Sequence, residues 1–513
     1  MATVQGADLT AGKDLTLIGQ NLNLDPGTDA QQSSMSQSAS QYGVTLALGG
    51  VAGDTMAAVN RSMTQASHAN DARLAALDKA QAALAVYSAP AAAASGQAPA
   101  LVKVTVSVGG GSSHSEAQSG STTTDGSTLT AGGSVTLVAT GSGAKDANGI
   151  ATDGDINARG TQITAQDVTL NAARDVNLQS AHDTTKQNSS NSSNNASIGV
   201  GFGLGGTQNG FTLELAASAA KGNANGNSVT NRDTQISAGN TVSITSGRDT
   251  NLRGAEVSGN TVDANVGRDL NIASQQDTNT YNSQQTSAGF QASICVPPFC
   301  YGQTVSGSAN ASDQTIKDRF QSVNQQSGIQ AGNGGYNINV GNHTELDGGV
   351  IASTATPDKN SLSTQTFGYT NLQNTAEYSG STISLSASTA SGQGTQGSLS
   401  VPGMGPTGFG AAGTGDSASG TTYAAVSPGT ITVRGDAGTG QDSTAGLSRD
   451  TASANGSVQN TFDAQKMQTD MAVQQAAGQV GMQVVGDIGT RLRQGADNAM
   501  KQAAQDYKNA LMS

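Results

Sequence analysis

The chain of 513 residues is long enough for several domains, yet only 35% of its residues are hydrophobic, 3% are aromatic and 12% are charged. This composition excludes a conventional globular core. The net charge of -13 argues against a nucleic-acid partner, which requires clustered Lys and Arg, and four histidines with two cysteines exclude zinc-finger and disulfide-scaffold classes. We therefore expect no metal and no cofactor. The long polar stretches are either disordered or ordered without a large apolar core, and the periodicity of the sequence distinguishes the two.

Residues 1–53 predict a β-coil followed by a hairpin. The segment Leu9 to Leu17 alternates apolar and polar residues, and a period of two is typical of strands. After a polar stretch the alternation returns in Gly43-Val-Thr-Leu-Ala-Leu48. We expect this second stretch to leave the coil as an antiparallel hairpin packed by one face.

Residues 54–90 predict one helix inserted between coils. Apolar residues recur at steps of three and four between Met56 and Tyr87. Pro90 follows this pattern, so we expect the helix to end before the proline.

Residues 91–400 contain a repeat of twenty residues. The segment Ile236 to Leu252 returns from Glu256 to Ile272 with its Gly-Arg-Asp turn and flanking apolar alternations, and residues 163–178 hold a third copy. A fixed period of this length indicates a solenoid in which each unit covers the apolar face of the next. The predicted fold is all-β, a right-handed parallel β-helix (β-solenoid) whose thin column of Val, Ile and Leu explains the low hydrophobic content.

Longer excursions interrupt these coils. A polar run from Asp183 leads into the alternating segment Ala196 to Leu204, and a second run from Asp277 leads into Ala292 to Val296. We interpret both as antiparallel hairpins that leave the solenoid.

The last part of the chain changes composition twice. Residues 401–460 are rich in glycine and serine and predict a linker that leads into the β-like segment Gly429 to Arg434. Residues 461–513 predict a helical tail. Glycines interrupt this tail between 478 and 495, and each costs about 1 kcal/mol relative to alanine. We therefore expect the tail to need a packing surface.

The cassettes resemble the haemagglutinin repeats of filamentous haemagglutinin and of the large contact-dependent growth inhibition effectors, which bacteria export by two-partner secretion. The resemblance is carried by Ala238-Gly-Asn-Thr-Val-Ser-Ile244, by Gly247-Arg-Asp-Thr-Asn-Leu-Arg-Gly-Ala255 and by Val340 to Ala355. Downstream, Asp358 to Leu362, Ala376-Glu-Tyr378 and Gly429 to Arg434 are similar to the stretch that leads to the pretoxin region of the growth-inhibition effectors.

This resemblance implies a secreted filament on the bacterial cell surface, with an outer-membrane transporter of two-partner secretion as export partner. It also implies that the second haemagglutinin-repeat region assists toxin passage across the target cell's outer membrane. In that family a variable C-terminal domain carries the toxic activity, and no such domain precedes Ser513 here. Met1 leads directly into a coil without a signal peptide, so we expect a fragment of a larger exoprotein.

We expect a noncatalytic stalk and toxin-delivery segment. The alternative is a haemagglutinin-like adhesin filament that binds a surface receptor on a host or neighbouring cell. A third class, a solenoid carbohydrate-active enzyme, requires carboxylates clustered with Arg or Lys, and the sequence converges on no such set. The first coil, Val4 to Leu24, has no cap, so we also expect self-association through an open strand edge.

Asp14, Asp175, Asp249 and Asp269 follow Arg or Lys at turn positions that the sequence presents as equivalent. The pattern suggests calcium binding or carboxylate catalysis, but the glycine-rich calcium nonapeptide is absent. An Asp at such a turn hydrogen-bonds nearby amides. We therefore interpret these four residues as structural turn residues.

The segment Cys295-Val-Pro-Pro-Phe-Cys300 is the most specific chemical feature. A secreted context and a tight loop favour a disulfide that staples the hairpin tip. Free thiols and metal ligation are the alternatives, and the lack of a neighbouring His argues against metal.

The remaining candidates are weaker. His68 lies in the predicted helix, while His114, His182 and His343 lie in expected loops or turns with no titratable partner at a useful spacing, so none receives a role. The alternating segment Ile198 to Leu204 suits either a hairpin that lies on the solenoid or a strand in a membrane, since about 10 residues cross a bilayer.

Overall fold

The structure is a computed structural model that describes residues 1–69, 71–94, 100–302, 304–388, 405–478, 480, 499–502 and 505. Strands dominate, and the all-β class is confirmed. The strands are, in chain order, β1 (Ala2–Gln5), β2 (Asp8–Ala11), β3 (Leu15–Gly19), β4 (Leu22–Asp25), β5 (Gly27–Gly49), β6 (Val102–Asp125), β7 (Thr128–Ala131), β8 (Ser134–Ala139), β9 (Ile156–Arg159), β10 (Gln162–Ala172), β11 (Val176–Gln179), β12 (Ala181–Leu204), β13 (Gln208–Arg232), β14 (Thr234–Ser246), β15 (Thr250–Arg253), β16 (Ala255–Val266), β17 (Asp269–Ala273), β18 (Asp277–Gly302), β19 (Val305–Ser322), β20 (Gly328–Val340), β21 (His343–Asp347), β22 (Val350–Ser353), β23 (Ser361–Thr364), β24 (Thr366–Thr370), β25 (Leu372–Ser388), β26 (Gly405–Thr422), β27 (Ala425–Val426) and β28 (Thr430–Val433).

Two parallel sheets form the body of the structure. The first sheet has the order β1-β4-β9-β11-β15-β17-β21-β24. The second has the order β2-β7-β10-β14-β16-β20-β22-β27, with β3, β8, β23 and β28 beside that path. The chain alternates between the two sheets, so each sheet gains strands in sequence order. This is the stacked-coil arrangement that the twenty-residue period predicts.

Inward-facing residues of both sheets meet in one narrow core. Leu137, Leu170 and Ile244 pair in register on neighbouring strands and are almost fully buried. Alternate residues of the same strands, such as Thr169, face outward. Each coil therefore contributes only a few apolar side chains, and stacking supplies the burial that one short strand cannot.

The third sheet is antiparallel and lies at one corner of the coils. It has the order β5-β6-β12-β13-β18-β19-β25-β26, which is chain order. Each of its hairpins starts after a strand of the first parallel sheet and returns into the second. Successive hairpins therefore leave from the same corner and pair side by side. Antiparallel excursions were predicted, but their pairing with one another was not.

The coil lengths alternate because of these hairpins. The turn residues Asp155 and Asp175 are 20 residues apart. Asp249 comes 74 residues after Asp175, and Asp269 comes 20 residues after Asp249. A module therefore contains one plain coil and one coil that carries a hairpin.

In the described part of the chain up to residue 478, three α-helices accompany the antiparallel sheet: α1 (Gly50–His68), α2 (Ala72–Ala94) and α3 at residues 464–478. The prediction of one inserted helix is wrong, since α1 and α2 are separate. Asp71 explains the break between α1 and α2. Its Oδ1 accepts the Arg73 N–H at 2.7 Å, and this bond caps the start of α2. Pro90 lies inside α2, near its C-terminal end, and does not terminate it.

The described part of the predicted linker, residues 405–460, is also ordered. Residues 405–422 form β26, which pairs with β25 along its length. Residues 434–458 then lie over the last coil, where Leu447 reaches the core and the Tyr369 hydroxyl donates to Ala445 O at 2.8 Å. Small residues fit a close-packed strand as readily as a linker, so composition alone was misleading here. Beyond residue 478 most of the predicted tail lies outside the described residues.

Candidate functional site

An exposed apolar face covers the outer part of the antiparallel sheet. Directly opposed residues on neighbouring antiparallel strands project to the same face, and so do residues two positions along a strand. Three rows of apolar residues cross the sheet in this way. The first row is Val44, Val108, Ile198 and Leu215. The second row is Leu46, Val106, Val200, Leu213, Ile294 and Val305, and the third is Leu48, Val104, Phe202 and Phe211. We call these rows the apolar face.

Most side chains of the apolar face meet solvent. Leu46 is 73% exposed, Val200 53% and Val106 48%. Monomeric soluble proteins rarely expose a contiguous apolar patch larger than a few hundred Å². The rows span five residues of each of the strands β5, β6, β12 and β13, or roughly 16 Å at the ~3.3 Å rise of a strand. This face is therefore a candidate interaction surface.

Aromatic residues border the apolar face. Tyr42 and Phe290 lie in the next row toward the coils, and they are 85% and 50% exposed. At the outer end Phe299 and Tyr301 are also exposed. Exposed aromatic rings on both sides of an apolar band are typical of surfaces that meet a membrane interface.

The opposite face of the sheet is small and polar, and the helices lie over it. There the Lys103 Nζ lies 2.6 Å from Glu214 Oε1 and donates to Ser293 Oγ at 2.7 Å. Further along, Met467 and Met471 of α3 pack with Ile316. Arg73 of α2 bonds Asp470 of α3 at 2.7 Å, which joins the helices. The helices thus leave the apolar face uncovered.

Cys295 and Cys300 form a disulfide at the outer end of β18, with Cα atoms 5.3 Å apart. Both are buried, while Val296 and Phe299 between them are exposed. The bridge closes a short loop that presents Phe299 at the tip of the sheet.

Three of the four predicted turn aspartates form a ladder along one corner of the coils. Asp175 binds Arg248 of the next coil, with Nε to Oδ1 at 2.8 Å, and Asp249 binds Arg268 in the same way. Each carboxylate also accepts the backbone N–H of the next aspartate, at 3.1 Å and 3.3 Å. Their role as turn residues that bond nearby amides stays our interpretation, to which the structure adds these ion pairs.

Asp14 does not belong to this ladder, so its predicted equivalence is wrong. It precedes β3 of the second sheet, whereas Asp175 precedes β11 of the first. Its Oδ1 accepts the N–H and the hydroxyl of Ser134, both at 2.8 Å, and these hydrogen bonds lower the pKa of Asp14. The Gly-Lys-Asp motif resembled Gly-Arg-Asp, but it sits at a different corner.

An asparagine ladder runs beside the aspartates and was missed by sequence reasoning. Asn271 donates from Nδ2 to Oδ1 of Asn251 in the coil before it, at 2.8 Å. Asn251, Asn177 and Asn157 do the same in turn, and Asn23 accepts the last of these four bonds. The signal was present as Asp-x-Asn in successive cassettes. Stacked asparagines satisfy one another only when identical residues stand in register, so the ladder fixes the register.

A second set of carboxylates lies where the hairpins join the coils. Asp183 accepts the N–H of Thr124 at 2.7 Å, and Asp277 accepts the N–H of Asn231 at 2.7 Å. Each of these bonds connects one hairpin to the hairpin before it. Asp233 lies nearby, and its Oδ2 is buried with no hydrogen-bond partner. Burial, with the neighbouring carboxylates Asp277 and Glu256, raises the pKa of Asp233 to about 7.

The four histidines are dispersed. His68 ends α1, whereas His114, His182 and His343 lie in strands and not in the expected loops. His343 has a partner that the sequence reasoning missed, with Nε2 2.9 Å from Glu345 Oε2. Among the described residues, no group of three or more His, Cys, Asp or Glu is placed to hold a metal ion. Within the same residues, no helix has the length and apolar content needed to cross a bilayer.

Comparison with known proteins finds matches to the repeated segments of this chain. The hemagglutinin repeat family matches residues 108–288. A deoxyribonuclease CdiA of Dickeya dadantii is 37% identical over 503 residues, 95% of this chain and 14% of the relative. A tRNA nuclease CdiA of Escherichia coli strain NC101 is 40% identical over 99% of this chain and 15% of the relative. A deoxyribonuclease CdiA of Yersinia pseudotuberculosis is 39% identical over 94% of this chain and 44% of the relative. No solved structure matches.

Stacked parallel strands with repeated Arg-Asp turns place this chain among the haemagglutinin-repeat exoproteins. Its similarity to CdiA proteins over nearly its whole length is more specific, and the chain is similar to one segment of these contact-dependent growth inhibition proteins. It spans only about 15% of the length of the first relatives, and it aligns with a haemagglutinin-repeat region.

Proposed function

We propose that this chain is the stalk and toxin-delivery region of a contact-dependent growth inhibition effector, and that it is noncatalytic. The effector would be exported through an outer-membrane transporter of two-partner secretion and displayed at the cell surface. The names of the relatives as nucleases and toxins support the presence of a toxin in the effector. The match to haemagglutinin repeats supports a separate, mechanical task for this segment.

The proposal includes a finer description of the fold. Parallel strands in one sheet are joined by right-handed crossovers in about 98% of cases. The two parallel sheets share one core and gain strands alternately along the chain. We therefore propose that they wind as a right-handed β-helix, which would give the stalk its stiffness through the aspartate and asparagine ladders.

The apolar face carries the delivery part of the proposal. Its rows expose Val, Leu, Ile and Phe over roughly 16 Å, a height that fits within the ~25 Å apolar band of outer-membrane proteins. Exposed Tyr42 and Phe299 at opposite ends would sit at the polar boundaries of a bilayer. We propose that this face contacts the target cell's outer membrane.

Liposome flotation tests the membrane contact. Because the chain carries a net charge of -13, zwitterionic phosphatidylcholine vesicles at pH 7.4 avoid electrostatic repulsion. The chain should float with the vesicles, and the double variant Val106→Asp, Val200→Asp should not. The matched control Ser112→Asp, Asn194→Asp places the same charges on the same face of the same strands, nearer the coils, and should float. Failure of the unmodified chain to float would remove the membrane contact and favour the adhesin alternative.

A further inference from the structure

The disulfide closes a bulge in the antiparallel sheet. β13 and β18 pair in register except at one point, where Gly210 opposes Cys300 and Thr212 opposes Cys295. One residue of β13 therefore stands opposite four residues of β18. The extra residues cannot pair with β13, so they loop out of the ladder, and the disulfide joins the two residues at which the loop begins and ends. We call residues 295–300 the stapled bulge.

Buried hydrogen bonds hold the base of the stapled bulge from the opposite face of the sheet. Gln208 is 1% exposed, and its Oε1 accepts the Ser306 hydroxyl at 3.0 Å while its Nε2 donates to Ser293 O at 3.3 Å. The Cys295 N–H donates to Thr304 O at 2.9 Å. These bonds connect β13, β18 and β19, so the stapled bulge rises from strands that are fixed relative to one another.

The stapled bulge presents apolar side chains to solvent. Both cysteines are at most 5% exposed, whereas Val296 is 42% exposed and Phe299 is 67% exposed. Tyr301, directly after the stapled bulge, is 73% exposed. The stretch of residues 291–302 contains no charged residue. The outer end of β18 thus carries two exposed aromatic rings and no charge that needs water.

The stapled bulge also continues the apolar face. The outermost row of that face ends at Phe211 of β13, and the stapled bulge stands at the same level on the next strand. Ile294, which belongs to the second row, directly precedes it. Aromatic rings beside an apolar band suit the interface of a bilayer, because a ring such as that of tyrosine has an apolar body and a polar end. A lipid surface is therefore the partner that fits this uncharged end.

We propose that the Cys295–Cys300 disulfide positions Phe299 and Tyr301 for contact with a lipid bilayer, so that the oxidised chain binds membranes more strongly than the reduced chain. This inference rests on the membrane contact that the proposed function includes. A loop that is already held loses little conformational entropy on binding, whereas the reduced loop must be ordered at each contact.

The bridge makes the contact dependent on the compartment. Bridge formation transfers two electrons and two protons from the thiols of Cys295 and Cys300 to a partner disulfide, which becomes two thiols. Cytosolic thiols stay reduced, and disulfides persist outside the cytosol. The aromatic end of β18 is therefore fixed for membrane contact only after the chain has left the cytosol.

Flotation with phosphatidylcholine vesicles at neutral pH, with and without reductant, tests the inference. Reduction should lower the partition of the chain into vesicles at least ~10-fold, the contribution of one buried ring. The double variant Cys295→Ser, Cys300→Ser should match the reduced chain and ignore reductant. Phe299→Ser keeps the bridge and should show a similar loss. The matched control Phe409→Ser removes a ring that is 59% exposed on β26, outside the apolar rows, and should float normally.

Tryptophan fluorescence reports the position of the stapled bulge itself. The chain contains no tryptophan, so the Phe299→Trp variant emits from this site alone. Vesicles should shift its emission to the blue when the bridge is intact, and the shift should be lost after reduction. The Phe409→Trp variant should show no shift in either state. Far-UV circular dichroism checks the fold of each variant.

The outcomes separate this inference from the membrane contact as such. Equal flotation of the oxidised and reduced chains would overturn the role of the bridge and leave the membrane contact standing. An oxidised Phe299→Trp variant that floats without a blue shift would do the same. Failure of the oxidised, unmodified chain to float would overturn both and leave a protein as the partner of the stapled bulge.

Discussion

Arg268 and Asp249 belong to successive coils and form a bidentate ion pair, with Nε to Oδ1 at 2.8 Å and Nη2 to Oδ2 at 2.5 Å. The same carboxylate accepts the Asp269 N–H at 3.3 Å. One aspartate thus binds both the side chain and the backbone of the following turn. This relationship repeats up the corner of the stack and shows how polar residues, with a thin core, hold neighbouring coils together.

Breaking one step of the aspartate ladder should destabilise the stack. Asp249 is mostly buried, so Asp249→Ala would leave Arg268 and the Asp269 N–H without their acceptor. Because Arg268 is 44% exposed and water can replace part of the pair, we expect a loss of about 1–3 kcal/mol in the free energy of unfolding. Denaturant titration measures it. Asp263→Ala, at an exposed position of the adjacent strand β16, is the control and should change little. Equal effects would show that the ladder contributes nothing.

The corner glycines should be intolerant of a side chain. Gly160, Gly254 and Gly348 lie 94 residues apart and have φ between 57° and 65°, a region that L-residues rarely adopt. At Gly254 a Cβ would also lie 2.6 Å from the Cβ of Ser180. Gly254→Ala should lower the unfolding free energy by about 2 kcal/mol or more. Gly120→Ala has open space and should be close to neutral, so similar thermal midpoints for both variants would refute the corner geometry.

Asp233 should make the stability of the chain fall as the pH rises. Its pKa in the folded chain is about 7, whereas an unfolded Asp titrates near 3.9. Above pH ~4 the unfolded state therefore loses the proton more readily than the folded state, and stability declines until about pH 7. Asp233→Asn removes this effect, so the variant should gain up to ~4 kcal/mol at pH 8 and little at pH 4. Unfolding titrations at both pH values measure the difference. A gain that is equal at both would contradict the raised pKa.

The disulfide is open to direct chemical measurement. Thiol titration of the unfolded, unreduced chain should find no free thiol, because Cys295 and Cys300 are bonded. The same titration after reduction should find two, which serves as the positive control. Two thiols without reduction would exclude the bridge.

The sequence predicted the stacked coils because their signal is local and repeated. The twenty-residue return of Gly-Arg-Asp at Arg248 and Arg268 is visible by inspection, and the structure places these residues on successive coils. The hairpins were also predictable, since alternation at Ile198 to Leu204 has no helical interpretation. What the pattern could not show was that successive hairpins pair with one another. Such pairing depends on contacts between residues 49 to 94 positions apart in the chain, as from Val229 and Thr278 to Gln208 and Gly302.

Other features depended on the position of a turn within a coil. Asp14 looked like Asp175 in its local motif, and only the assignment of strands to sheets separates their corners. The apolar face was only half predicted, because alternation shows that one side of a strand is apolar and not whether the chain covers it. The helices lie on the polar side instead. Composition favoured a linker at 405–422, where a register-paired strand stands.

A growth-competition assay tests the central claim most directly. The equivalent region of a full-length CdiA relative would be replaced by this chain, either unmodified or with Val106→Asp and Val200→Asp, and surface display of both would be matched by antibody labelling. The unmodified chimera should inhibit target cells, and the doubly substituted chimera should lose inhibition although it is displayed equally. Inhibition that is unchanged by the two charges would contradict delivery through the apolar face.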